Sequence, residues 1–299
     1  MRRIAVLGAG GVGGFVAAAL HRSGEDVTVV ARESTAASLG QRGLHVRSVF
    51  LGDFDARPAA ATQLTHEVDV LFVATKATGL VDALERITAT PGLVVPLLNG
   101  LDHLEVLRRR FAPERVPAAV IRIESDRPAS GEIVQTSPSC RADLAPAAVQ
   151  PAAVDRVAEI LKRAGIQVRT GDGEATVMWS KLARLCPLAL TTSASGRPIG
   201  YVRSDPRWRS ALEGAISETV GVANADGARL DAADTFAELE AAHSELGSSM
   251  QRDIAAGREP ELDAIAGAVL RAGQRHGLRC PTIRWLAGRV AGRAGLAWI

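Results

Sequence analysis

The chain has 299 residues, enough for two domains with sizeable cores. Its 35 basic and 33 acidic residues leave a net charge of +2, which lacks the one-sided charge of a nucleic-acid or membrane-surface binder. No apolar run approaches the length of a membrane span, and three scattered cysteines (Cys140, Cys186, Cys280) with six dispersed histidines offer no metal-ligand spacing.

The first strand begins at residue 3, so no secretory leader and a reducing cytoplasmic setting are expected. That strand, Ile4-Ala5-Val6-Leu7, runs straight into Gly8-Ala9-Gly10-Gly11-Val12-Gly13-Gly14. An Ala-rich helix from Phe15 to His21 stops at Ser23-Gly24, and Val27 to Val30 reads as the next strand. Within one βαβ unit, G-x-G-x-x-G is a dinucleotide signature. Gly8 allows the tight turn, Gly10 lets backbone approach a pyrophosphate, and Gly13 lets the helix pack close to its strand. Ala9, Gly11 and Val12 complete the loop, and the helix N-terminus offers its N–H groups and positive dipole end to phosphates. The second strand ends at Arg32, a residue type that suits the 2′-phosphate of NADPH, with Glu33 beside it.

His45 to Phe50 and Asp55 to Ala59 read as short strands, and Val68 to Ala74 as a buried one ending at Thr75-Lys76. A helix over 79–87 precedes the strand Leu93 to Leu98, which ends at Asn99-Gly100. Ligands of such sheets lie beyond the carboxyl ends of strands, which makes Lys76 and Asn99 candidate contacts. Val116 to Ile123 and Glu132 to Gln135 are expected to continue the same sheet, followed by a helix over 154–164 and a strand over 166–169. Beyond Thr170-Gly171-Asp172-Gly173 the period becomes helical, over 174–194, 206–225, 231–247, 248–256, 261–275 and 282–293. The expected organisation is an α/β Rossmann-type domain with a mostly parallel sheet over 1–172, then an all-α domain over 173–299.

Only Lys76, Lys162 and Lys181 are lysine; the other 32 basic residues are arginine, and Asn99 and Asn224 are the two asparagines. A chain so inclined to arginine retains lysine where an ammonium that can give up its proton is needed. Lys162 lies in an ordinary helical run, which leaves Lys76 and Lys181 as candidates for chemistry.

Three stretches in this order resemble ketopantoate reductase: the N-terminal GAGGVGG, Trp179-Ser180-Lys181-Leu182, and Ser248-Ser249-Met250-x-x-Asp253-Ile254 leading to Glu261-Leu262-Asp263-Ala264. The resemblance spans essentially the whole chain. It implies an NADPH-dependent enzyme that reduces 2-dehydropantoate in a cleft between two domains. By position, Gly8, Gly10 and Gly13 would line the pyrophosphate and Arg32 the 2′-phosphate, with Lys76 and Asn99 near the reacting end of the cofactor. Lys181 would be the catalytic acid, Glu261 would support it, and Ser249 would hold substrate. The chemistry is consistent with these residue types. When hydride adds to a ketone carbon, charge grows on the oxygen, and a nearby cation both stabilises that charge and supplies a proton. A lysine partly withdrawn from water gives up its proton more readily. Glu261 follows Pro260 and is expected in the first turn of a helix, where a carboxylate is favoured.

The match fails at three places. Where the family carries amides, this chain has Leu185 and Ala189, one and two helical turns beyond Lys181, and Leu246, three before Ser249. Losing one partner of a buried hydrogen bond costs about 1–3 kcal/mol. Two or three such losses predict much weaker ketopantoate binding unless other groups replace the amides. Pro187 within the lysine helix removes a backbone donor and favours a kink. Three readings therefore stand: a pantoate-forming reductase, a paralogue acting on a more apolar 2-oxo acid or ketone, and an NADPH-binding sensor without turnover. A small-molecule substrate is expected in the first two, with no nucleic acid or membrane partner. A homodimer through the helical domain is compatible with such a fold.

Overall fold

The computed structural model describes residues 2–146 and 148–298. The chain forms two compact units: residues 1–98 with 103–177, and residues 99–102 with 178–299. The residues Asn99 to Asp102 thus belong to the second unit although the chain on both sides of them belongs to the first.

In the first unit, β1 (Arg3–Leu7), α1 (Gly11–Arg22) and β2 (Asp26–Val30) form the expected βαβ unit. They are followed by α2 (Glu33–Arg42), β3 (Leu44–Ser48), β4 (Phe54–Ala56), β5 (Ala59–Ala61) and β6 (Val70–Val73). A 3-10 turn over Ala77–Gly79 leads into α3 (Leu80–Leu84), then β7 (Leu93–Pro96). The central sheet has the order β5-β2-β1-β6-β7, all parallel. Ile4 to Leu7 are at most 1% exposed, as the middle strand of a sheet covered on both faces requires. The chain winds outward from β1 through β2 to β5, then returns to β6 on the other side of β1. The switch point lies between β1 and β6, and the crevice beyond their carboxyl ends is where such sheets bind ligands.

The remaining strands do not continue this sheet. After α4 (His103–Phe111), β8 (Ala118–Arg122), β9 (Ser125–Asp126), β10 (Glu132–Gln135) and β11 (Arg141–Ala145) come α5 (Pro151–Arg163) and β12 (Gln167–Thr170). They build a four-stranded sheet, β4-β3-β10-β9, and a three-stranded one, β12-β11-β8, each mixed in direction. Strand-forming composition marks Val116 to Ile123 and Glu132 to Gln135 as strands but leaves their neighbours undetermined. A buried polar knot accounts for part of this departure. The amide of Gln135 on β10 donates to Ser137 Oγ at 2.8 Å, and its oxygen accepts from Ser48 Oγ at 2.7 Å at the end of β3. Arg108 of α4 clasps Glu174 with two bonds of 2.7 Å, the bidentate geometry that suits a guanidinium and a carboxylate.

The second unit is helical: α6 (Glu174–Ser195, its first four residues counted with the first unit), α7 (Ile199–Ser204), α8 (Pro206–Ala225), α9 (Ala232–Glu240), α10 (Ser249–Ala255), α11 (Ala268–Arg275) and α12 (Pro281–Ala294). Ala183, Leu188, Ile199, Val202, Leu212, Ile216, Val220, Leu239 and Leu246 form one buried cluster. Helix α6 remains one element through Pro187. The run expected over 231–247 ends at Glu240 because Arg203 donates to the carbonyls of Leu239 (3.0 Å), Glu240 and Ala242 (2.8 Å), closing the helix with a cation at its negative end. The 261–275 run is one apolar-periodic stretch with a π turn over Asp263–Gly267 at its start. No helix among the described residues is long and apolar enough to cross a membrane, and no cluster among them could hold a metal ion.

Candidate active site

The glycine loop sits at the switch point. Gly8 has φ +103°, a conformation that only glycine adopts without strain. A Cβ there would lie 2.8 Å from the carbonyl oxygen of Ala74, at the end of β6. On Gly13 a Cβ would overlap the carbonyl oxygen of Gly8, so helix and loop touch backbone to backbone. Gly10 differs from both. It is the N-cap of α1 with extended backbone (φ −75°, ψ −171°), and a Cβ on it would meet nothing within 4 Å. No side chain caps α1 and no acidic residue stands in its first turn. At Gly10 the N-terminus of a twelve-residue helix therefore presents bare backbone to open space, and the cradle fits a pyrophosphate. Ala9 is buried, and Val12 packs against the core of this unit.

Sequence reasoning missed the support of this loop from the far side. Ser125 of β9 donates through Oγ to the carbonyl of Gly11 at 2.9 Å, and a Cβ on Gly11 would overlap the carbonyl of Ser125. The contact joins positions 114 residues apart, and no local pattern marks it. Arg32 is the extended N-cap residue of α2, with its side chain exposed at the end of β2. Glu33 lines a shallow groove with Ala60, Ala61 and Thr62 at the end of β5. An exposed guanidinium at this place fits a 2′-phosphate. Lys76 is exposed, three residues beyond β6, just ahead of the 3-10 turn.

In the second unit the structure brings together two of the sequence candidates. Asn99 donates through Nδ2 to Glu261 Oε2 at 2.9 Å, and both side chains are half-buried. Glu261 is not in the first turn of the helix, as expected, but just ahead of it. Its carbonyl accepts from the N–H of Ile265 at 3.1 Å, which still sets its carboxylate at the positive end. Lys181 is half-buried on α6, with Leu185 half-buried one turn on. Ala189 is fully buried, and Leu246 is 4% exposed inside the helical core. Leu246 accordingly fills the core, while Leu185 is the partly accessible one of the three replaced amide positions. Ser248 and Ser249 divide their roles. Ser248 is buried as the N-cap of α10, its Oγ accepting from the N–H of Gln251 at 3.1 Å and lying 3.0 Å from Thr192 Oγ1. Ser249 is exposed at the first position of the helix.

Near Lys181, Trp179 is buried and donates its indole N–H to Asp226 Oδ2 at 2.9 Å. The other oxygen of Asp226 lies 2.8 Å from His276 Nε2 and 3.5 Å from Arg275 Nη2. Burial alone would raise the Asp226 carboxyl. Hydrogen bonds from His276 and Trp179 and the charge of Arg275 outweigh it and hold the group below its ordinary value. The cysteines are free thiols in the core, and burial pushes Cys140 and Cys186 up to about 12. That is far from the thiolate range a nucleophile needs.

The chain matches two family models, ketopantoate reductase PanE/ApbA over residues 4–147 and its C-terminal domain over residues 175–294. A 2-dehydropantoate 2-reductase of Caulobacter vibrioides is 30% identical, covering 94% of this chain and 95% of that protein. An oxidoreductase of Bacillus subtilis named YkpB, with no substrate in its name, is 27% identical over 93% of this chain and 94% of its own. Among solved structures, a 2-dehydropantoate 2-reductase of Geobacter metallireducens superposes with a TM-score of 0.89 at 26% identity, covering 97% of this chain and 99% of the other. D-mandelate dehydrogenase bound to NADH and anilino(oxo)acetate superposes with a TM-score of 0.88 at 20% identity, covering 98% of both chains, a likeness of fold alone.

Proposed function

Because the chain belongs to the ketopantoate reductase family and is an oxidoreductase of C=O and CH–OH groups, we propose that it reduces a 2-oxo acid with NADPH, using Lys181 as general acid. The observation that carries this reading is the Asn99–Glu261 hydrogen bond, which joins two residues singled out by their sequence context, one ahead of the helical run and one inside it. Gly8, Gly10 and Gly13 with the N-terminus of α1 hold the pyrophosphate, Arg32 holds the 2′-phosphate, and Lys76 and Asn99 stand toward the reacting end. A reduced nicotinamide bound there supplies hydride. The Lys181 ammonium stabilises the charge that develops on the substrate oxygen and gives it a proton. Glu261 keeps that ammonium oriented, and Ser249 anchors the substrate.

2-Dehydropantoate is the leading substrate. A second reading rests on Leu185, a partly accessible apolar side chain one turn from Lys181 where the family has an amide. It replaces the hydroxylated substrate with a 2-oxo acid of more apolar chain. NADPH oxidation by the purified protein separates the two, with ketopantoate run beside apolar-chain 2-oxo acids. Lys181→Ala is expected to lower kcat on the best substrate by about 100-fold or more, and unchanged turnover would remove the acid role. Tight NADPH binding without turnover of any 2-oxo acid would point instead to a binding protein.

A further inference from the structure

The residues Asn99 to Asp102 are built onto the π turn by three contacts of different kinds. Asn99 reaches Glu261, as described. Gly100 has φ +85°, and a Cβ on it would overlap the carbonyl oxygen of Ala264, so the segment lies against the turn backbone to backbone. Asp102 Oδ2 accepts from Arg271 Nη2 at 2.5 Å. The same guanidinium holds the turn itself, with Nη1 donating to Asp263 Oδ1 at 2.7 Å and Nη2 reaching Asp263 Oδ2 at 3.2 Å and its carbonyl at 3.3 Å. Gly267, one turn on, makes room for this pair: a Cβ there would overlap Asp263 Oδ1 and come within 2.9 Å of Arg271 Nη1. A π turn spends an extra residue per turn and is uncommon except where a site needs it. Here it sits two residues beyond Glu261, and a single arginine bridges it to the segment that carries Asn99.

We propose that Arg271 is a positioning residue for the reaction: by bridging Asp102 to Asp263 it holds the Asn99–Asp102 segment on the π turn, so that the Asn99 amide stays on the Glu261 carboxylate. The fork geometry of a guanidinium suits it to this bridge, since it engages two carboxylates and a carbonyl at once. Arg271, Asp102 and Asp263 are 42%, 51% and 71% exposed at their side chains, so these pairs contribute little to global stability. The expected loss therefore lies in turnover, while folding is spared. This inference rests on the proposed role of Glu261.

The test compares Arg271→Ala, Arg271→Lys and Glu261→Gln, and the double variant Arg271→Ala/Glu261→Gln, in the full chain. It reads kcat on the best 2-oxo acid, the KM for NADPH, and amide hydrogen exchange of the peptide covering residues 99–102. Arg271→Ala should lower kcat about tenfold with the NADPH KM within about twofold, speed exchange over 99–102, and be only partly rescued by lysine, which lacks the fork. On the Glu261→Gln background the same change should cost less than about twofold, because both act at one point. Unchanged exchange, unchanged kcat, or an equal loss on both backgrounds would overturn the proposal. Faster exchange with Glu261→Gln at wild-type turnover would leave the clamp standing and remove the role of Glu261 instead.

Discussion

Gly10 and Gly13 are three residues apart, and the structure asks opposite things of them. At Gly13 an added methyl collides with the carbonyl of Gly8, so Gly13→Ala should overpack the loop and cost about 1–3 kcal/mol of stability. At Gly10 the methyl enters open space on a backbone that any residue adopts. Gly10→Ala should therefore cost no more than about 1 kcal/mol, the usual loss at an N-cap, yet weaken NADPH binding at least tenfold, because the methyl occupies the room left for phosphate. Thermal unfolding and fluorescence titration check the pair, and equal losses of stability would contradict the division. These glycines were legible in the sequence because the loop is contiguous and its strand and helix flank it within a few residues. Asn99 and Glu261 were each legible as candidates, but their hydrogen bond was not. It joins positions 162 residues apart, and no periodicity carries information over that separation. Leu246 shows the reverse limit, since a position matched by motif spacing turned out to lie in the core.

At the level of elements, Asp226 ties together α6, through Trp179, and the end of α11, through His276 and Arg275, from its place as the C-cap of α8. Its carboxyl is held below the ordinary 3.8 in the folded chain. The unfolded chain therefore takes up this proton first on acidification. The stabilisation is complete above about pH 4–5 and is lost as pH falls through the lowered folded value. Asp226→Asn should cost about 1–3 kcal/mol at neutral pH, since it removes the charge that accepts from the buried Trp179 N–H and from His276. It should also flatten the acid limb of the stability curve, measured by urea unfolding between about pH 3 and 7. A variant as acid-sensitive as the parent would show that other carboxylates govern that limb. The element boundaries tell a similar story. The helix expected to reach residue 247 stops at Glu240 because Arg203, on another helix, takes its last carbonyls. The π turn over Asp263–Gly267 holds no proline, and Ala264-Ile265-Ala266 reads like any helical stretch, which is why 261–275 reads as one run.

The whole molecule carries its own reporters. Cys140 lies in the core of the first unit, and Cys186 is buried in the second, each a free thiol pushed up to about 12 by burial. Cys280 is also buried and its thiol is raised in the same direction. A thiol-alkylating reagent at neutral pH should leave the native protein unmodified over hours and label it only as a unit opens. Mapped by mass spectrometry during thermal or urea unfolding, Cys140 should track the first unit and Cys186 the second. Simultaneous labelling at all denaturant concentrations would mean that the chain unfolds as one cooperative body.

The excursion of Asn99 to Asp102 bears on how such a chain can be inherited. Four residues that the first unit's stretch of gene encodes are built into the second unit, so no single break in the reading frame parts the two structures cleanly. Exchange of the helical half between relatives by one crossover would bring together an Asn-Gly-Leu-Asp segment and a π turn with separate histories. The two units are therefore expected to be transmitted as a pair, with change at Asp102 tolerated where Arg271 or Asp263 changes to match.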